Sequence, residues 1–383
     1  MAQLIKLQSN KNIIQSDSIR PRILKVTTDP FLPHVLRKNK ALIVDSPELH
    51  DVSGYGMVFS KIHSESTQVE FLDTQLSYLD DGDVIRVVPH KNSVRAIYRV
   101  NASANFLFVT ERCNSFCIMC SQPPREVNDG HLVEELIEAI PLIDKGAHEI
   151  GITGGEPTLL GERFIHLLQT IKAYLPDTAI HVLTNGRNFK DDILAKKVFK
   201  LNHPDLMFGI PIYSDLPHIH DFIVQADGSF DETIRGILNL KRFSQKVEVR
   251  VVVHKQNYAR LPELAEFLGR NLQFIDHVAL MGLEITGFTR ANLDELWIDP
   301  VDYMPQLQRA LEVLIRYKIK TSIYNLQRCL LPKSLWPFAV KSISDWKNKY
   351  YDECNECSQK QNCGGFFSSS DIRRSKSIRS IKV

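Results

Sequence analysis

The stretch Cys113-Asn-Ser-Phe-Cys117-Ile-Met-Cys120 places three cysteines within eight residues. It follows the apolar run Asn105-Phe-Leu-Phe-Val-Thr110, which predicts a β-strand. Four cysteines saturate a [4Fe-4S] cluster, one per iron, whereas three leave one iron open. An open coordination position marks a reactive metal site. The residues alone also allow a zinc knuckle with a distant fourth ligand.

A second motif, Gly154-Gly-Glu-Pro157, follows the next predicted strand. The spacing C-x3-C-x2-C together with this motif resembles the radical S-adenosylmethionine (SAM) enzymes. The resemblance implies an α/β fold with a partial (β/α)6 TIM-like barrel. It also implies a [4Fe-4S] cluster on Cys113, Cys117 and Cys120 that binds SAM and cleaves it reductively to a 5′-deoxyadenosyl radical. The family usually has an aromatic residue before the third cysteine; here Met119 takes that position, and its thioether can pack against a ring.

Composition and charge narrow the function classes. The 383 residues are 43% apolar and 24% charged, which predicts two or three domains with ordinary cores. The formal charge of +2, without a basic stripe, argues against nucleic acid as a partner. The apolar runs are too short for a membrane span, and Met1-Ala-Gln-Leu-Ile-Lys lacks a signal-peptide core, so we expect a cytoplasmic protein without a membrane partner.

Residues 1–100 predict a β-rich N-terminal domain, because short apolar or alternating runs are separated by turn-forming residues. Two roles are open for this domain. It could cover one end of the barrel, or it could bind a peptide by strand addition. The predicted strands are Ala41–Val44, Gly56–Phe59, Gln68–Phe71, Val84–Val88 and Val94–Tyr98.

Residues 101–290 alternate between strand-like and helix-like segments, which predicts parallel βα units in the core barrel. Helical spacing of apolar residues follows the strands at Leu132, Phe164 and Leu261. The six predicted strands are Phe106–Thr110, Glu149–Thr153, Ile180–Thr184, Met207–Ile212, Val247–Val253 and His277–Met281.

The loops after these strands supply the candidate SAM-binding residues, since chemistry gathers at the carboxyl ends of parallel strands. The family resemblance implies that the Gly-Gly-Glu-Pro segment holds the SAM amino group, that Thr184-Asn185 lies beside SAM and that Ser214 contacts the ribose. The cofactor-binding set is therefore Gly154, Gly155, Glu156, Pro157, Thr184, Asn185 and Ser214.

Looser matches follow the later strands. His220-Asp221 before Gly228-Ser-Phe resembles a segment of radical SAM enzymes that modify peptides, without the arginine often found there. His254 and Asn257 could reach SAM or substrate, although a histidine at a strand end is more often a capping or packing residue. Glu284 is a further candidate, and no residue is identified as catalytic.

Residues 291–367 hold the remaining four cysteines, Cys329, Cys354, Cys357 and Cys363. Four thiolates saturate either a [4Fe-4S] cluster or a tetrahedral zinc. The spacing C-x2-C-x5-C resembles the SPASM and Twitch extensions, which implies one auxiliary iron–sulfur cluster; a SPASM domain would have a cysteine where Phe367 stands. Residues 368–383 predict a mobile basic tail.

The longest resemblance is to the His-Xaa-Ser system radical SAM maturases of the HxsC type. It rests on Asn105-Phe-Leu-Phe-Val-Thr-Glu-Arg-Cys113, Cys120-Ser-Gln-Pro-Pro124, Ser342-Ile-Ser-Asp-Trp-Lys-Asn348 and Cys363-Gly-Gly-Phe-Phe367. It implies a peptide or protein substrate, a His-Xaa-Ser repeat polypeptide. It also implies a second radical SAM maturase, a small accessory protein and an electron donor such as flavodoxin or ferredoxin. The alternatives are a radical SAM enzyme acting on a nucleotide or small metabolite, and a metal-stapled adaptor without catalysis.

Overall fold

The computed structural model describes residues 5–6, 21–62, 70–71, 76–88, 93–341 and 349–382 of the chain. Within them the chain forms two compact units. The first contains residues 1–109, 129–151 and 166–179, and the second contains residues 110–128, 152–165 and 180–383.

The first unit contains a mixed seven-stranded sheet in the order β1-β7-β6-β2-β3-β4-β5. The first two strands, Ile5–Lys6 and Arg22–Thr27, were not predicted from the sequence; in the second, Arg22 and Lys25 interrupt the apolar pattern. The other predicted strands are present, each shifted by at most two residues within the described part of the chain. The strands are β1 Ile5–Lys6, β2 Arg22–Thr27, β3 Lys40–Val44, β4 Met57–Ser60, β5 Glu70–Phe71, β6 Val84–Val88 and β7 Ser93–Tyr98.

The core of this unit is an apolar cluster on one face of the sheet, with Phe59 and Ile85 fully buried. A short helix, α1 (His34–Arg37), lies between β2 and β3, and its Arg37 is buried. Helix α2 (Gly130–Ala139) belongs to the same unit and contacts β2. Its Glu135 pairs with Arg86 of β6, with Nε–Oε2 at 2.5 Å.

The second sheet has seven strands in the order β14-β13-β12-β11-β10-β9-β8, and the pairs from β10 to β14 are parallel. Its strands are β8 Asn105–Phe108, β9 Glu149–Thr153, β10 Ala179–Leu183, β11 Leu206–Pro211, β12 Lys246–Val253, β13 His277–Gly282 and β14 Thr321–Tyr324. The remaining helices are α3 Glu162–Tyr174, α4 Asp192–Leu201, α5 Pro217–Val224, α6 Ser229–Arg242, α7 Leu261–Asn271, α8 Phe288–Ala291, α9 Leu293–Leu296 and α10 Met304–Arg316.

Strand β12 shows why these residues form a sheet with two different faces. Its β-branched residues Val247, Val249 and Val251 are fully buried, and helix α6 contacts this strand. The alternate positions carry Glu248 and Arg250 on the inner face of the sheet. β-Branched residues fit the pleated surface, and the period of two separates the packed face from the polar one.

The six predicted barrel strands are all present, within two residues at each end. The structure adds β14 as a seventh strand, parallel to β13, although the sequence placed Lys320–Tyr324 outside the barrel. The motif Ser342–Asn348 lies outside the described residues. None of the described helices is both long and apolar enough to cross a membrane.

The C-terminal segment is packed where a mobile basic tail was predicted. Asp371 accepts a hydrogen bond from Lys349 at 2.6 Å, and the Arg374 guanidinium lies 3.9 Å from the centre of the Tyr351 ring. Ser369 and Ser375 are buried. The basic composition predicted a mobile tail because the partners of these residues, such as Lys349 and Tyr351, lie earlier in the chain. The local sequence therefore gives no sign of the contacts.

Candidate functional site

The three-cysteine loop runs from the end of β8 towards α2, and all three thiols are free and partly buried. Backbone hydrogen bonds fix this loop against the end of α5. Phe116 N–H donates to Val224 O and Ile118 N–H donates to Ile223 O, both at 3.0 Å. The pairing leaves the cysteine side chains on a loop whose backbone is already ordered.

A second set of contacts holds the other end of the loop, and sequence analysis missed it. Phe288 N–H donates to Cys120 O at 2.8 Å, and Thr289 Oγ1 donates to Met119 O at 3.0 Å. Asn292 Nδ2 donates to Ile118 O at 2.8 Å. These residues belong to α8 and the turn after it, about 170 positions along the chain, so no sequence pattern connects them with the cysteines.

Gly154 and Gly155 let the loop after β9 approach the cysteine loop closely. Gly155 N–H donates to Thr110 O and Glu156 N–H donates to Arg112 O, both at 2.8 Å. A Cβ atom on Gly155 would lie 2.1 Å from Arg112 O and 3.1 Å from Cys113 Cβ. Only glycine fits against this backbone, so the sequence motif has a direct steric cause.

The Glu156 carboxylate is fully buried, and its hydrogen-bond donors are groups of the protein itself. It accepts hydrogen bonds from Thr158 N–H at 3.0 Å, Thr184 Oγ1 at 2.7 Å and Asn185 N–H at 2.6 Å. Burial raises its pKa, and these donors act against that rise. The carboxylate therefore joins the loops after β9 and β10.

The loop after β10 reaches the cysteine loop through two side chains. Asn185 Nδ2 donates to Asn114 Oδ1 at 2.5 Å and lies 4.0 Å from Cys113 Sγ. Arg187 donates to the Asn114 carbonyl and to Ser115 Oγ, and its Nε donates to Glu232 at 2.7 Å. The sequence predicted Asn185 as a site residue but not Arg187. The available signal for Arg187 was its position directly after Thr184-Asn185-Gly186.

Ser214, His220 and Asp221 all have structural partners. Ser214 is buried, and its Oγ accepts from Leu216 N–H at 3.1 Å. His220 Nδ1 accepts from Tyr213 N–H at 3.2 Å. Asp221 accepts from Gly228 N–H at 2.7 Å and Phe230 N–H at 2.8 Å, at the start of α6. The His-Asp and Gly-Ser-Phe elements thus fold one turn together, and the ribose contact of Ser214 stays a prediction.

His254 and Asn257 cap the turn after β12. Asn257 Oδ1 accepts from His254 N–H at 2.9 Å, and its Nδ2 donates to Val252 O at 2.9 Å. His254 Nδ1 accepts from Gln256 N–H at 3.2 Å, and burial lowers the pKa of this histidine to about 3. The packing interpretation fits both residues. Glu284 accepts a backbone hydrogen bond from Thr286 at 3.0 Å.

Met119 is buried in an apolar cluster with Tyr213, Ile223, Val224 and Leu296, which Cys117 also contacts. This packing anchors the middle of the cysteine loop. Burial raises the pKa of Cys113 to about 12, and the Glu156 carboxylate adds to the rise. Burial also raises the pKa of Cys117 and Cys120. Thiolates form at such a site when a metal supplies the compensating positive charge.

The arrangement fits a [4Fe-4S] cluster, since the three thiols are held on one clamped loop and are close enough for the charges of Cys113 and Cys120 to affect Cys117. A cube takes one thiolate per iron. Among the described residues, no three His, Cys, Asp or Glu side chains converge on a single metal ion.

The C-terminal cysteines are also brought together. Cys329 and Cys354 both interact electrostatically with Cys363, and Cys354 with Cys357. The C-terminal segment lies against them: Ile381 N–H donates to Cys357 Sγ at 3.4 Å, and Ser358 N–H donates to Ile381 O at 2.9 Å. The segment predicted as a tail therefore encloses this second group of thiols.

A cavity of about 580 Å³, including space open to solvent, lies at the carboxyl ends of β12, β13 and β14. Aromatic and basic side chains form part of its lining. Trp297, Phe366 and Phe367 line it together with Arg373 and Arg374 of the C-terminal segment.

Comparisons with known proteins agree with this geometry. Residues 107–268 match the family model of the radical SAM superfamily. GTP 3′,8-cyclase of Aquifex aeolicus is 29% identical over 180 residues, which is 44% of this chain and 55% of that protein. A tungsten-containing aldehyde ferredoxin oxidoreductase cofactor-modifying protein of Pyrococcus furiosus is 29% identical over 177 residues, 43% of this chain and 47% of that one. The chain spans about half the length of these curated relatives.

Among solved structures, native anSMEcpe with bound AdoMet and Cp18Cys peptide aligns with a TM-score of 0.50 at 14% identity. The alignment covers 72% of this chain and 91% of that chain, and it supports the fold alone. The predicted fold class, a partial TIM-like barrel with additional domains, is confirmed. Residues 107–268, which contain the three-cysteine loop, are thus the part of the chain that is similar to the radical SAM superfamily.

Proposed function

We propose that this protein is a radical SAM enzyme that modifies a peptide or protein substrate. The observation that carries the proposal is the close contact between the Cys113–Cys120 loop and the Gly154–Gly155 backbone at the carboxyl end of the sheet. Cys113, Cys117 and Cys120 would hold the cluster. When bound, the cluster and SAM supply a radical that abstracts hydrogen from an unactivated carbon.

The chain's own contribution is to position these groups. Arg187 and Asn185 order the backbone at Asn114, and Glu156 holds their loop against the loop after β9. Met119 and Tyr213 exclude water from one side of the cysteine loop. Pre-ordered loops lower the entropic cost of bringing cofactor and substrate together.

The peptide substrate is supported by the sequence resemblance to His-Xaa-Ser system maturases and by the side chains that line the cavity. Its aromatic and arginine residues suit an aromatic or acidic side chain of a peptide. The second candidate is a nucleotide or small metabolite, which the 29% identity to GTP 3′,8-cyclase favours. SAM-binding residues are proposed as Gly154, Gly155, Glu156, Pro157, Thr184, Asn185 and Ser214.

The test of the proposed reaction uses anaerobically reconstituted, reduced protein with SAM. We expect 5′-deoxyadenosine from the native protein and none when Cys113, Cys117 and Cys120 are all changed to alanine. Co-expression with a His-Xaa-Ser polypeptide should change the mass of that polypeptide, and GTP should not be consumed. Deoxyadenosine from the triple variant would contradict the site, whereas GTP turnover would favour the second candidate.

The auxiliary cluster is proposed for Cys329, Cys354, Cys357 and Cys363, with zinc as the alternative. Two cubes contain about eight irons. We expect Cys113→Ala and Cys357→Ala each to remove about half of the iron. One zinc with about four irons in the native protein would assign zinc to the C-terminal group.

A further inference from the structure

The inner face of the second sheet carries a polar cluster that none of the preceding roles uses. Strand register places Glu248 of β12 opposite His277 of β13, and Ala279 of β13 opposite Ser322 of β14. These residues lie on the face opposite the buried valines of β12. The Glu248 side chain is 6% exposed and that of His277 is 17% exposed.

The three side chains form a continuous hydrogen-bonded series. His277 Nδ1 lies 2.7 Å from Glu248 Oε2, and His277 Nε2 lies 3.0 Å from Ser322 Oγ. A nucleophile within reach of a base, with the base oriented by a third group, is the arrangement that activates serine hydroxyls. Three parallel strands supply one residue each, so the sheet itself sets the spacing.

The direction of these hydrogen bonds follows from the charge of Glu248. Burial opposes ionisation of Glu248, but His277, Arg250 and His181 together lower its pKa to about 2. An ionised carboxylate only accepts hydrogen bonds. His277 Nδ1 must therefore carry the proton, and in the neutral ring Nε2 accepts from the Ser322 hydroxyl.

Arg250 and Gly209 lie next to the series formed by Glu248, His277 and Ser322. Arg250 donates from one guanidinium nitrogen to Glu248 at 2.6 Å and from the other to Met281 Sδ at 3.3 Å, a weak acceptor. A ligand oxyanion would be a stronger acceptor for that second nitrogen. Gly209 leaves the necessary room, because a Cβ atom there would lie 2.9 Å from Arg250 Cδ and 2.8 Å from His181 Nε2.

We propose that Ser322, His277 and Glu248 form an acyl-transfer relay on the inner face of the barrel sheet, for a ligand with an electrophilic carbonyl such as an ester. Ser322 Oγ forms a bond to the carbonyl carbon while its proton moves to His277 Nε2. The proton then passes to the leaving alkoxide as its bond to carbon breaks, and Arg250 stabilises the oxyanion. The relay needs neither iron nor SAM, so its failure and that of the proposed radical reaction are distinguishable.

The test exposes the purified full-length protein to diisopropyl fluorophosphate and measures labelled serines by peptide mass spectrometry. Ser322 Oγ would bond to phosphorus and release fluoride. Ser370 is the internal control, since it is also partly buried but its Oγ contacts Phe367 O and Tyr351 rather than an imidazole. We expect Ser322 to react about a hundredfold faster than Ser370 at pH 8, the usual size of a general-base effect.

Substitution of the two partners distinguishes activation of Ser322 from mere exposure. His277 contacts Ser322 directly, and Glu248 contacts His277 on the other side of the ring.

His277→Gln should reduce labelling of Ser322 to the rate of Ser370, and Glu248→Gln should slow it about tenfold or more. Equal labelling of Ser322 and Ser370 in the native protein overturns the proposal. This result comes from the native protein, so it holds even if a variant fails to fold.

Discussion

The Glu156 carboxylate holds the loops after β9 and β10 together, because its donors lie in both loops. Glu156→Gln replaces one acceptor oxygen by an NH2 group, which leaves at least one buried donor without its acceptor. We expect the free energy of unfolding to fall by about 1–3 kcal/mol. Urea denaturation followed by circular dichroism measures it.

Glu162→Gln is the matched control for this substitution. The Glu162 side chain is 77% exposed and pairs with Lys197 at the surface. Surface ion pairs contribute about 0–1 kcal/mol. Equal losses in the two variants would mean that the buried carboxylate does not join the loops.

His220 makes stability depend on pH. Burial lowers its pKa from 6.5 to about 4 in the folded protein, against the attraction of Asp221. The contribution of neutral His220 to the free energy of unfolding is complete above pH 6.5. It is lost as the pH falls from 6.5 to about 4, because the unfolded chain binds the proton at a higher pH than the folded protein does. The loss at pH 5 is about 2 kcal/mol.

His220→Gln keeps an acceptor for the Tyr213 N–H and removes the titration. Urea unfolding at pH 7 and pH 5 should show a smaller pH effect in this variant than in the native protein, by about 2 kcal/mol. An unchanged difference between the two pH values would assign the acid sensitivity to other groups, His181 and His254 being the other histidines with a lowered pKa.

At the scale of elements, the contact between the loop after β9 and the cysteine loop depends on the missing side chain of Gly155. Gly155→Ala would place a Cβ atom 2.1 Å from Arg112 O, a distance that backbone atoms must relieve by moving. Because the cysteine loop would shift with Arg112, we expect reconstituted protein to lose about half of its iron, four atoms per cube. Iron analysis per protein chain checks this.

Gly146→Ala is the control for the glycine substitution. Its Cβ atom would lie 3.0 Å from the Asp144 side chain, which can rotate away, so the iron content should stay at the native value. If both variants keep their iron, the close approach of the two loops does not matter for the cluster.

The elements show what the sequence could predict and why. Alternating or continuous β-branched runs, such as Val247–Val253, predicted the barrel strands, because period and propensity agree there. Strand β14 was separated from the barrel by α8, α9 and α10, so its pairing with β13 had no local signal. The cysteine and glycine motifs predicted a candidate site, whereas the contacts of Arg187, Thr289 and Asn292 with the cysteine loop needed the fold.

The hydrogen-bonded series of Glu248, His277 and Ser322 could not be predicted for the same reason, since strand pairing has no local signal in the sequence. The polar alternation Glu248-Val-Arg250 within a valine strand was visible in the sequence as a signal for a polar inner face. Its partners His277 and Ser322 lie 29 and 74 positions beyond Glu248, on strands whose order only the sheet shows. Register, rather than spacing along the chain, brings these groups together.

For the molecule as a whole, the compact unit that contains the β-rich front also includes later parts of the chain. The first compact unit also contains residues 129–151 and 166–179. Arg86 of β6 and Glu135 of α2 form a two-bond pair at 2.5 and 2.8 Å, with side chains 17% and 14% exposed. Arg95 lies close enough for Arg86 and Glu135 to affect its pKa, which burial lowers. One carboxylate therefore compensates two guanidinium groups.

This imbalance of charge predicts that replacing Glu135 and replacing Arg86 lower the free energy of unfolding by different amounts. Glu135→Gln leaves Arg86 and Arg95 without a carboxylate and should cost about 3–5 kcal/mol of unfolding free energy. Arg86→Gln leaves Glu135 beside Arg95 and should cost less. The double variant should cost less than the sum of the two, because removing both charges leaves neither unpaired.

A double-mutant cycle in urea measures this coupling, with the exposed pair Lys246–Asp205 as the control at about 0–1 kcal/mol. Additive losses would mean that the β-rich front is energetically independent of α2, and only then would a boundary near residue 100 describe a separable domain.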